Sequence, residues 1–283
     1  MEKGRLSEAL RRPPGPLDVR DLDPRATPLF PGGKADAPRA TAPVAALLED
    51  LQERLYAQAR TDPAAAPRVL LVLQGMDTAG KGGTIKHAIG LVDPQGVAIQ
   101  AFKAPTPQEL RHDFLWRIRR ALPAPGMIGI FDRSHYEDVL IGRVEQLASP
   151  EEIERRYDRI NAFEHELAAG GTRIVKCFLN VSKAAQKRRL AERLDPPGAK
   201  YWKYNPGDLG TRAKWDDYMT AYNLVLERCD SDEAPWYLIP SDRKWYRNWA
   251  VARILAETLA AMGLQWPAAT FDVAAERVRV AQS

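Results

Sequence analysis

The sequence predicts an α/β fold in which about five parallel strands form a central sheet with helices on both faces. Short apolar runs alternate along the chain with longer segments of helical periodicity, which is the pattern of strand–helix–strand units. A glycine-rich segment at residues 75–86 directly follows the first apolar run and opens the next helix. In such a fold, ligands bind at the carboxyl ends of the strands.

The strands are predicted where apolar runs are bounded by turn residues. They cover residues 68–74, 96–102, 127–131, 173–179 and 236–239.

The helices are predicted from periodic apolar positions and from signals at their ends. Val44 and Leu48 share one face of the first helix, Thr106 and Pro107 are typical of a helix start, and Gly170 of a helix end. The predicted helices cover residues 42–60, the end of the glycine-rich segment to 91, 106–122, 150–169, 183–194, 209–228 and 246–262.

Composition divides the chain into three parts. Residues 1–42 contain seven prolines and the pair Gly32-Gly33, which predicts a Pro-rich N-terminal arm without a core of its own. Residues 43–270 are predicted to form one domain, because 283 residues with 45% hydrophobic side chains suffice for one large α/β core. Residues 271–283 are expected to form a C-terminal tail.

The sequence lacks the patterns of membrane, secreted and zinc proteins. No run of about 18 apolar residues occurs, and the first six residues lack an apolar signal region. The two cysteines and four histidines have no zinc-ligand spacing and form no disulfide framework. We therefore expect a cytoplasmic protein.

Residues 75–81 fit the Gly-x-x-x-x-Gly-Lys pattern of a phosphate-binding loop. Backbone N–H groups of such a loop turn towards phosphate oxygens, and Lys81 supplies a cation for the transferring group. A strand precedes the loop and a helix follows it, as the pattern requires; glycines placed only for packing are the alternative. The predicted phosphate ligands here are Gly75, Ala79, Gly80, Lys81, Gly82, Gly83 and Thr84.

Two aspartates predict a divalent-cation site. Asp77 lies inside the loop, where a carboxylate repels a phosphate chain unless a cation separates them. Asp132 ends the third predicted strand and could hold one or two Mg²⁺ ions with Asp77, and Arg133 follows it in a position to pair with phosphate. Gly82 stands where such loops usually carry a hydroxyl, and the sequence leaves open whether Thr84 replaces it.

Basic residues are concentrated in one stretch. Residues 182–214 hold nine basic and three acidic side chains, a net charge of +6, whereas the whole chain carries +4. Arg189 and Arg193 share a helical face, which predicts a lid that closes over a phosphate chain. Lys200 and Lys203 alternate with aromatic residues and are predicted to follow the polyanion; nucleic-acid binding and packing at the base of the lid are alternatives.

A nucleotide site is predicted after the second strand. Aromatic, basic and acidic side chains occur there and on the next predicted helix, where they could stack on a base and bind its phosphate. Packing of Phe102 in the core is the alternative. The predicted nucleotide ligands here are Phe102, Lys103, Pro105, Asp113 and Arg117.

Several separated blocks of the sequence occur in a fixed order. They are Gly75-Met-Asp-Thr-Ala-Gly-Lys-Gly-Gly-Thr-Ile, Asp132-Arg-Ser-His-Tyr-Glu-Asp-Val-Leu, Trp202-Lys-Tyr-Asn-Pro-Gly-Asp-Leu, Trp215-Asp-Asp-Tyr, Ala234-Pro-Trp-Tyr-Leu-Ile-Pro and Lys244-Trp-Tyr-Arg-Asn. Together they resemble the family-2 polyphosphate kinases across residues 40–265. The resemblance implies a three-layer α/β/α P-loop kinase with a helical lid at about 182–214. It also implies phosphoryl transfer between inorganic polyphosphate and a nucleotide, with Mg²⁺ or, as a substitute, Mn²⁺.

Residue by residue, the resemblance assigns a role to five side chains. Lys81 would grip the transferring phosphate, and Asp77 and Asp132 would hold the metal. Arg133 would clamp phosphate, and Arg193 would be the arginine of the lid.

Glu137 indicates an acceptor class and completes the predicted nucleotide ligands. Family members with Asn at this position resemble nucleoside-diphosphate kinases, whereas the Tyr-Glu-Asp form here resembles the class that phosphorylates both AMP and ADP. The implied partners are inorganic polyphosphate and adenine nucleotides, with guanine as the alternative base, but neither nucleic acid nor a membrane. The resemblance also implies a homodimer or homotetramer.

Two other functions fit parts of the sequence. An ATP-dependent nucleoside monophosphate or small-molecule kinase would use the same fold, although a long basic lid suits a polyanion better than a single triphosphate. A nucleic-acid-binding P-loop protein is the other, but the chain shows no zinc-finger, RNP or basic-zipper pattern. Dependence on polyphosphate separates the first alternative from the leading interpretation.

Overall fold

A computed structural model of the chain describes residues 4–198 and 200–283, and it confirms the predicted fold class. Five strands form one sheet: β1 (Arg68–Gln74), β2 (Val97–Ala101), β3 (Ile128–Asp132), β4 (Thr172–Asn180) and β5 (Trp236–Pro240). Their order is β2-β3-β1-β4-β5, and every neighbouring pair is parallel. Parallel neighbours need crossover connections, which the intervening helices provide.

The described ranges contain eleven α-helices. They are α1 (Leu6–Leu10), α2 (Ala37–Thr61), α3 (Lys81–His87), α4 (Trp116–Arg120), α5 (Glu137–Val144), α6 (Pro150–Ala169), α7 (Lys183–Ala191), α8 (Gly207–Ala213), α9 (Trp215–Arg228), α10 (Lys244–Ala261) and α11 (Val273–Ala281). α2 and α3 pack with α10, whereas α5 packs with α6 and α9, so two helical groups flank the sheet. None of these helices is both long enough and apolar enough to cross a bilayer.

The register of the sheet brings the ends of β1 and β3 together. Leu73 lies opposite Asp132, and the N–H of Arg133 donates to the carbonyl oxygen of Leu73 at 3.1 Å. The glycine-rich loop, which starts at Gly75, therefore begins beside Asp132 and Arg133. β1 is fully buried from Val69 onwards, as expected for a central strand covered on both faces.

The described part of the N-terminal arm, from residue 4 onwards, covers part of one edge of the sheet. Leu6 and Phe30 are buried in the same hydrophobic core as the strands. The N–H of Arg12 donates to the carbonyl oxygen of Trp236 on β5 at 2.9 Å. Unpaired strand edges invite pairing with other chains, and the arm occupies part of this edge.

The prediction of one continuous helix over residues 106–122 is wrong. The side chains of Thr106 and Glu109 each accept a hydrogen bond from the backbone N–H of the other residue, as at a helix start. The chain that follows nevertheless forms only a 3₁₀ turn, Glu109–Arg111. The carboxylate of Asp113 then accepts from the N–H of Leu115 at 3.0 Å, which starts the separate short helix α4. Aspartate side chains compete in this way with a continuous helix.

Other helix boundaries also differ from the prediction. α5, which has only eight residues, was not predicted from the sequence. The helix predicted at 209–228 is two helices, α8 and α9, that meet at Lys214, and the predicted C-terminal tail contains α11. α2 begins at Ala37 rather than 42, because Pro38 fits the first turn, where no N–H donor is needed.

Candidate active site

The loop after β1 uses backbone conformations that require glycine. Gly75 has a φ of +149° and Gly80 of +115°. A Cβ atom on Gly75 would lie 2.8 Å from the carbonyl oxygen of Leu179 on β4. α3 then begins at Lys81. This is the geometry of a loop that directs backbone N–H groups towards an anion.

The ammonium group of Lys81 is buried against the loop. Its Nζ donates to the carbonyl oxygens of Gly75, at 2.8 Å, and Met76, at 3.4 Å. Burial, and after it the charge of Arg133, lowers the pKa of Lys81, although the carboxylate of Asp132 opposes the shift. A phosphate in the loop would give this ammonium group a charged partner in place of two carbonyl oxygens.

The other predicted phosphate ligands of the loop differ in their surroundings. Ala79 and Thr84 are buried, and the Thr84 hydroxyl has no hydrogen-bond partner within the described part of the chain. Gly82 is exposed, whereas Gly83 faces the guanidinium of Arg247. The structure thus places an additional cation, which the sequence analysis did not assign, beside the loop.

Asp77 and Arg133 form an ion pair in front of the loop. Nη2 of Arg133 lies 2.5 Å from Oδ1 of Asp77. Burial acts to lower the pKa of Arg133, but the charges of Glu137 and Asp77 raise it above its ordinary value. Arg133 also has a φ of +65°, an uncommon backbone conformation for a residue with a Cβ atom. The segment after β3 therefore carries a firmly charged cation next to the loop.

A cleft of about 250 Å³ opens beside this ion pair. The loop and the segment after β3 form one wall, and α5, α8 and α9 form the other. The side chains that line the second wall include Glu137, Asn205, Asp208, Thr211, Tyr218 and Tyr222.

Among the residues that the structure describes, three carboxylates line this cleft: Asp77, Glu137 and Asp208. Burial raises the pKa of Glu137 and that of Asp208, and the charge of Asp77 adds to both shifts. A phosphate chain that enters the cleft therefore meets negative as well as positive charge. A divalent cation would remove this repulsion.

Arg189, a predicted phosphate ligand, is buried behind the loop. Its Nη1 donates to the carbonyl oxygens of Thr78, at 2.9 Å, and Ala79, at 3.1 Å. Its Nη2 donates to those of Ser241 and Asp242, at 2.5 and 3.1 Å. Because these four acceptors engage its guanidinium, Arg189 fastens α7 to the back of the loop.

Arg193 reaches the cleft through Asp208. Its Nη1 lies 3.2 Å from Oδ2 of Asp208 and 2.7 Å from the carbonyl oxygen of Lys203. Lys200 and Lys203 are exposed, and the ammonium group of Lys203 lies 4.6 Å from the ring centre of Trp202. Neither lysine lines the cleft.

The nucleotide ligands predicted after β2 form a separate group. Phe102 is buried and packs edge-to-face on Phe131, with ring centres 4.9 Å apart. The guanidinium of Arg117 lies 5.6 Å from the ring of Phe102 and donates to the carbonyl oxygen of Lys103 at 2.8 Å. The structure brings only Glu137, of the six predicted ligands, to the cleft. The remaining two, Pro105 and Asp113, are exposed.

Sequence reasoning missed the wall formed by α8 and α9. Asn205 and Asp208 lie in the block that begins at Trp202, and Tyr218 lies in the block that begins at Trp215. Both blocks contribute to the family resemblance, and this could have marked their residues as candidates for the site. Arg247 likewise lies in the block that begins at Lys244.

Comparison with known proteins decides the family. The family description Polyphosphate kinase 2 matches residues 39–266 of the chain. The chain belongs to the polyphosphate kinase 2 family.

Two relatives and one solved structure are similar to most of the chain. The chain is 45% identical over 256 residues to an AMP/ADP-polyphosphate phosphotransferase from Meiothermus ruber, covering 90% of this chain and 93% of the relative. It is 43% identical over 235 residues to an ADP-polyphosphate phosphotransferase from Rhodopseudomonas palustris, covering 79% of each. The crystal structure of polyphosphate kinase 2 from Arthrobacter aurescens TC1 matches with a TM-score of 0.94 and 50% identity, covering 99% of this chain and 98% of that one.

Proposed function

We propose that this member of the polyphosphate kinase 2 family transfers a phosphoryl group from inorganic polyphosphate to AMP and to ADP, reversibly. The observation that carries the proposal is the meeting of the Asp77–Arg133 pair and Glu137 at one cleft, next to the loop whose carbonyl oxygens hold the ammonium group of Lys81. The name of the Meiothermus ruber relative includes both acceptors, which supports the dual-acceptor assignment.

The residues of the cleft would act by position and charge. The loop and Lys81 would hold one end of the phosphate chain, and Arg133 would neutralise charge on the transferring group. Arg193 would leave Asp208 and close over the phosphates from the lid side. Such a reaction needs alignment of donor and acceptor, and no covalent intermediate with the protein.

Asp77, which lines the cleft, and Asp132, at the end of β3 beside the loop, are the residues that would hold the divalent cation. No group of three acidic, His or Cys side chains in residues 4–198 and 200–283 is placed to bind a metal alone. Mg²⁺ is ordinarily bound by one or two carboxylates together with phosphate oxygens and water, so two aspartates fit such a site. The cation would neutralise charge on the phosphates, and Mn²⁺ would serve in its place.

We further propose that the protein is a cytoplasmic homodimer or homotetramer and that it prefers adenine nucleotides. Light scattering of the purified chain would give the oligomeric state, and guanine acceptors assayed beside adenine acceptors would give the base preference.

The acceptor assignment is tested by measuring product formation from polyphosphate with AMP and with ADP separately. We expect both acceptors to react, and we expect Glu137→Asn to keep the ADP reaction while the AMP reaction falls at least about tenfold, a change of 1.4 kcal/mol. Glu151→Gln, at an exposed position on α6, is the control. If the wild-type enzyme used only ADP, the dual-acceptor assignment would be overturned, whereas the assignment of polyphosphate as donor would stand.

A further inference from the structure

Two buried arginines meet behind the phosphate-binding loop. Nη1 of Arg189, from α7, and Nη1 of Arg247, from α10, both donate to the carbonyl oxygen of Ala79, at 3.1 and 3.0 Å. Arg189 is 6% exposed and Arg247 is 2% exposed. Two positive charges are therefore held together at one point of the loop.

Neither guanidinium has a carboxylate within ion-pair distance in the described part of the chain. The other donors of Arg247 go to the side-chain oxygen of Asn248. The negative charge of Asp242 opposes the lowering of the pKa of Arg189 from a distance. The carboxylate of Asp242 itself accepts hydrogen bonds from the N–H and the hydroxyl of Ser182. Burial, and after it the charge of Arg189, lowers the pKa of Arg247. Like charges buried without a counter-ion oppose each other, so this arrangement is costly when the loop is empty.

Glycines of the loop leave room for this charge. A Cβ atom on Gly83 would lie 2.7 Å from Nη2 of Arg247, and one on Gly80 would overlap its guanidinium. The position of Arg247 therefore explains why residue 83 is a glycine. The guanidinium touches the loop itself, so it can act on a ligand through the loop.

We propose that Arg247 is a positioning residue whose charge, added to that of Arg189, is neutralised when an oligophosphate occupies the loop. It holds the backbone of Ala79 and contributes positive potential from behind, without touching the phosphates. The proposal rests on the proposed function, because that function puts a phosphate chain in this loop. It adds a determinant of phosphate affinity on α10, outside the lid and outside the metal site.

The test is the Kd of inorganic tripolyphosphate, measured by calorimetry without nucleotide for the wild type, Arg247→Met and Arg253→Met. We expect Arg247→Met to weaken binding about tenfold or more, because a nearby buried charge is lost. The thermal midpoint of the ligand-free variant should not fall, since the carbonyl of Ala79 keeps its bond from Arg189. Arg253 lies on the same helix and pairs with Glu257, so its variant should bind like the wild type. A lowered midpoint with an unchanged Kd would show a merely structural role and overturn the proposal.

Gly83→Ala tests the same relationship without changing α10, and it serves if Arg247→Met does not fold. The added methyl group should displace the guanidinium and weaken tripolyphosphate binding. In the Arg247→Met background the same change should have no further effect. Additive effects of the two substitutions would contradict the coupling. A wild type that fails to bind tripolyphosphate would overturn the proposed function as well, whereas equal binding by the wild type and Arg247→Met would overturn this inference alone.

Discussion

Nε2 of Gln186 donates a hydrogen bond to the carbonyl oxygen of Asp77 at 3.0 Å and so joins α7 to the phosphate-binding loop. Its Oε1 accepts from Nη1 of Arg212, on α8, at 2.9 Å. Arg189 fastens the same helix to the loop from behind. α7 is therefore part of the loop's support, and a closing movement of the lid would have to begin after Ala191, where α7 ends.

Replacement of Lys81 should abolish most of the activity without unfolding the protein. We expect Lys81→Met to lower kcat/KM by about 10²–10³-fold, as found for the loss of single groups that stabilise transition-state charge. Within the described part of the chain, the buried ammonium group donates only to carbonyl oxygens of its own loop, so folding does not depend on an ion pair there. Steady-state kinetics and thermal unfolding measure the two effects. Lys86→Met, at an exposed position on α3, should keep full activity; near-normal turnover of Lys81→Met would refute the role of Lys81.

The lowered pKa of Lys81 predicts opposite pH trends for binding and stability. The unfolded chain binds more protons than the folded chain between the lowered pKa and the ordinary value of 10.5. Across that range the contribution of Lys81 to the unfolding free energy therefore rises with pH. The affinity for tripolyphosphate should fall over the same range, because the ammonium group loses its proton.

Titrations of tripolyphosphate at increasing pH, with the wild type and Lys81→Met, measure this trend. Protonation of the ligand affects both proteins equally, so the difference between them isolates Lys81. Parallel pH profiles of the two proteins would contradict the assignment.

Arg193 should matter for turnover more than for folding. Its guanidinium is partly exposed and is held by Asp208 and one backbone carbonyl, so it can exchange these partners for phosphate. We expect Arg193→Ala to lower kcat by about 10³-fold or more, by analogy with other arginines that stabilise phosphoryl transfer. Arg188→Ala, on the exposed side of α7, is the matched control. If both variants turned over alike, Arg193 would have no specific role in the lid.

A buried ionic network should contribute strongly to stability. Nζ of Lys176, on β4, lies 2.6 Å from Oε2 of Glu164 and 2.9 Å from the hydroxyl of Tyr136. We expect Lys176→Met to lower the unfolding free energy by about 3–5 kcal/mol, because Glu164 would keep a buried charge without its partner. Denaturant unfolding measures this effect. Lys176→Met with Glu164→Gln should recover part of the loss, and a double variant no more stable than Lys176→Met would count against the explanation.

The architecture was predictable from the sequence because its strands are short apolar runs between clear turn signals. The helix boundaries were less predictable, since Asp113 starts a new turn and α5 is too short to show a period. The loop with Lys81 was found from local spacing. The cleft wall with Asp208 and Tyr222 could not be found in this way. It depends on how α8 and α9 pack against a loop more than 120 residues earlier in the chain.

The position of Arg189 shows the limit of helical spacing. Its spacing to Arg193 predicts one helical face for both residues, but α7 ends at Ala191 and Arg193 lies in the turn that follows. Arg189 meets the back of the loop, whereas Arg193 reaches Asp208 at the cleft. Periodicity identifies a face and leaves its neighbour undetermined.

The donor in the reaction is the central claim, and one measurement tests it most directly. ³¹P NMR would follow the reaction of the purified enzyme with Mg²⁺ and ADP, in which polyphosphate is the sole phosphoryl donor. We predict that ATP signals grow as internal polyphosphate signals decline, and that Lys81→Met gives neither change. An active, folded enzyme that leaves polyphosphate intact and instead consumes ATP with another acceptor would contradict the account.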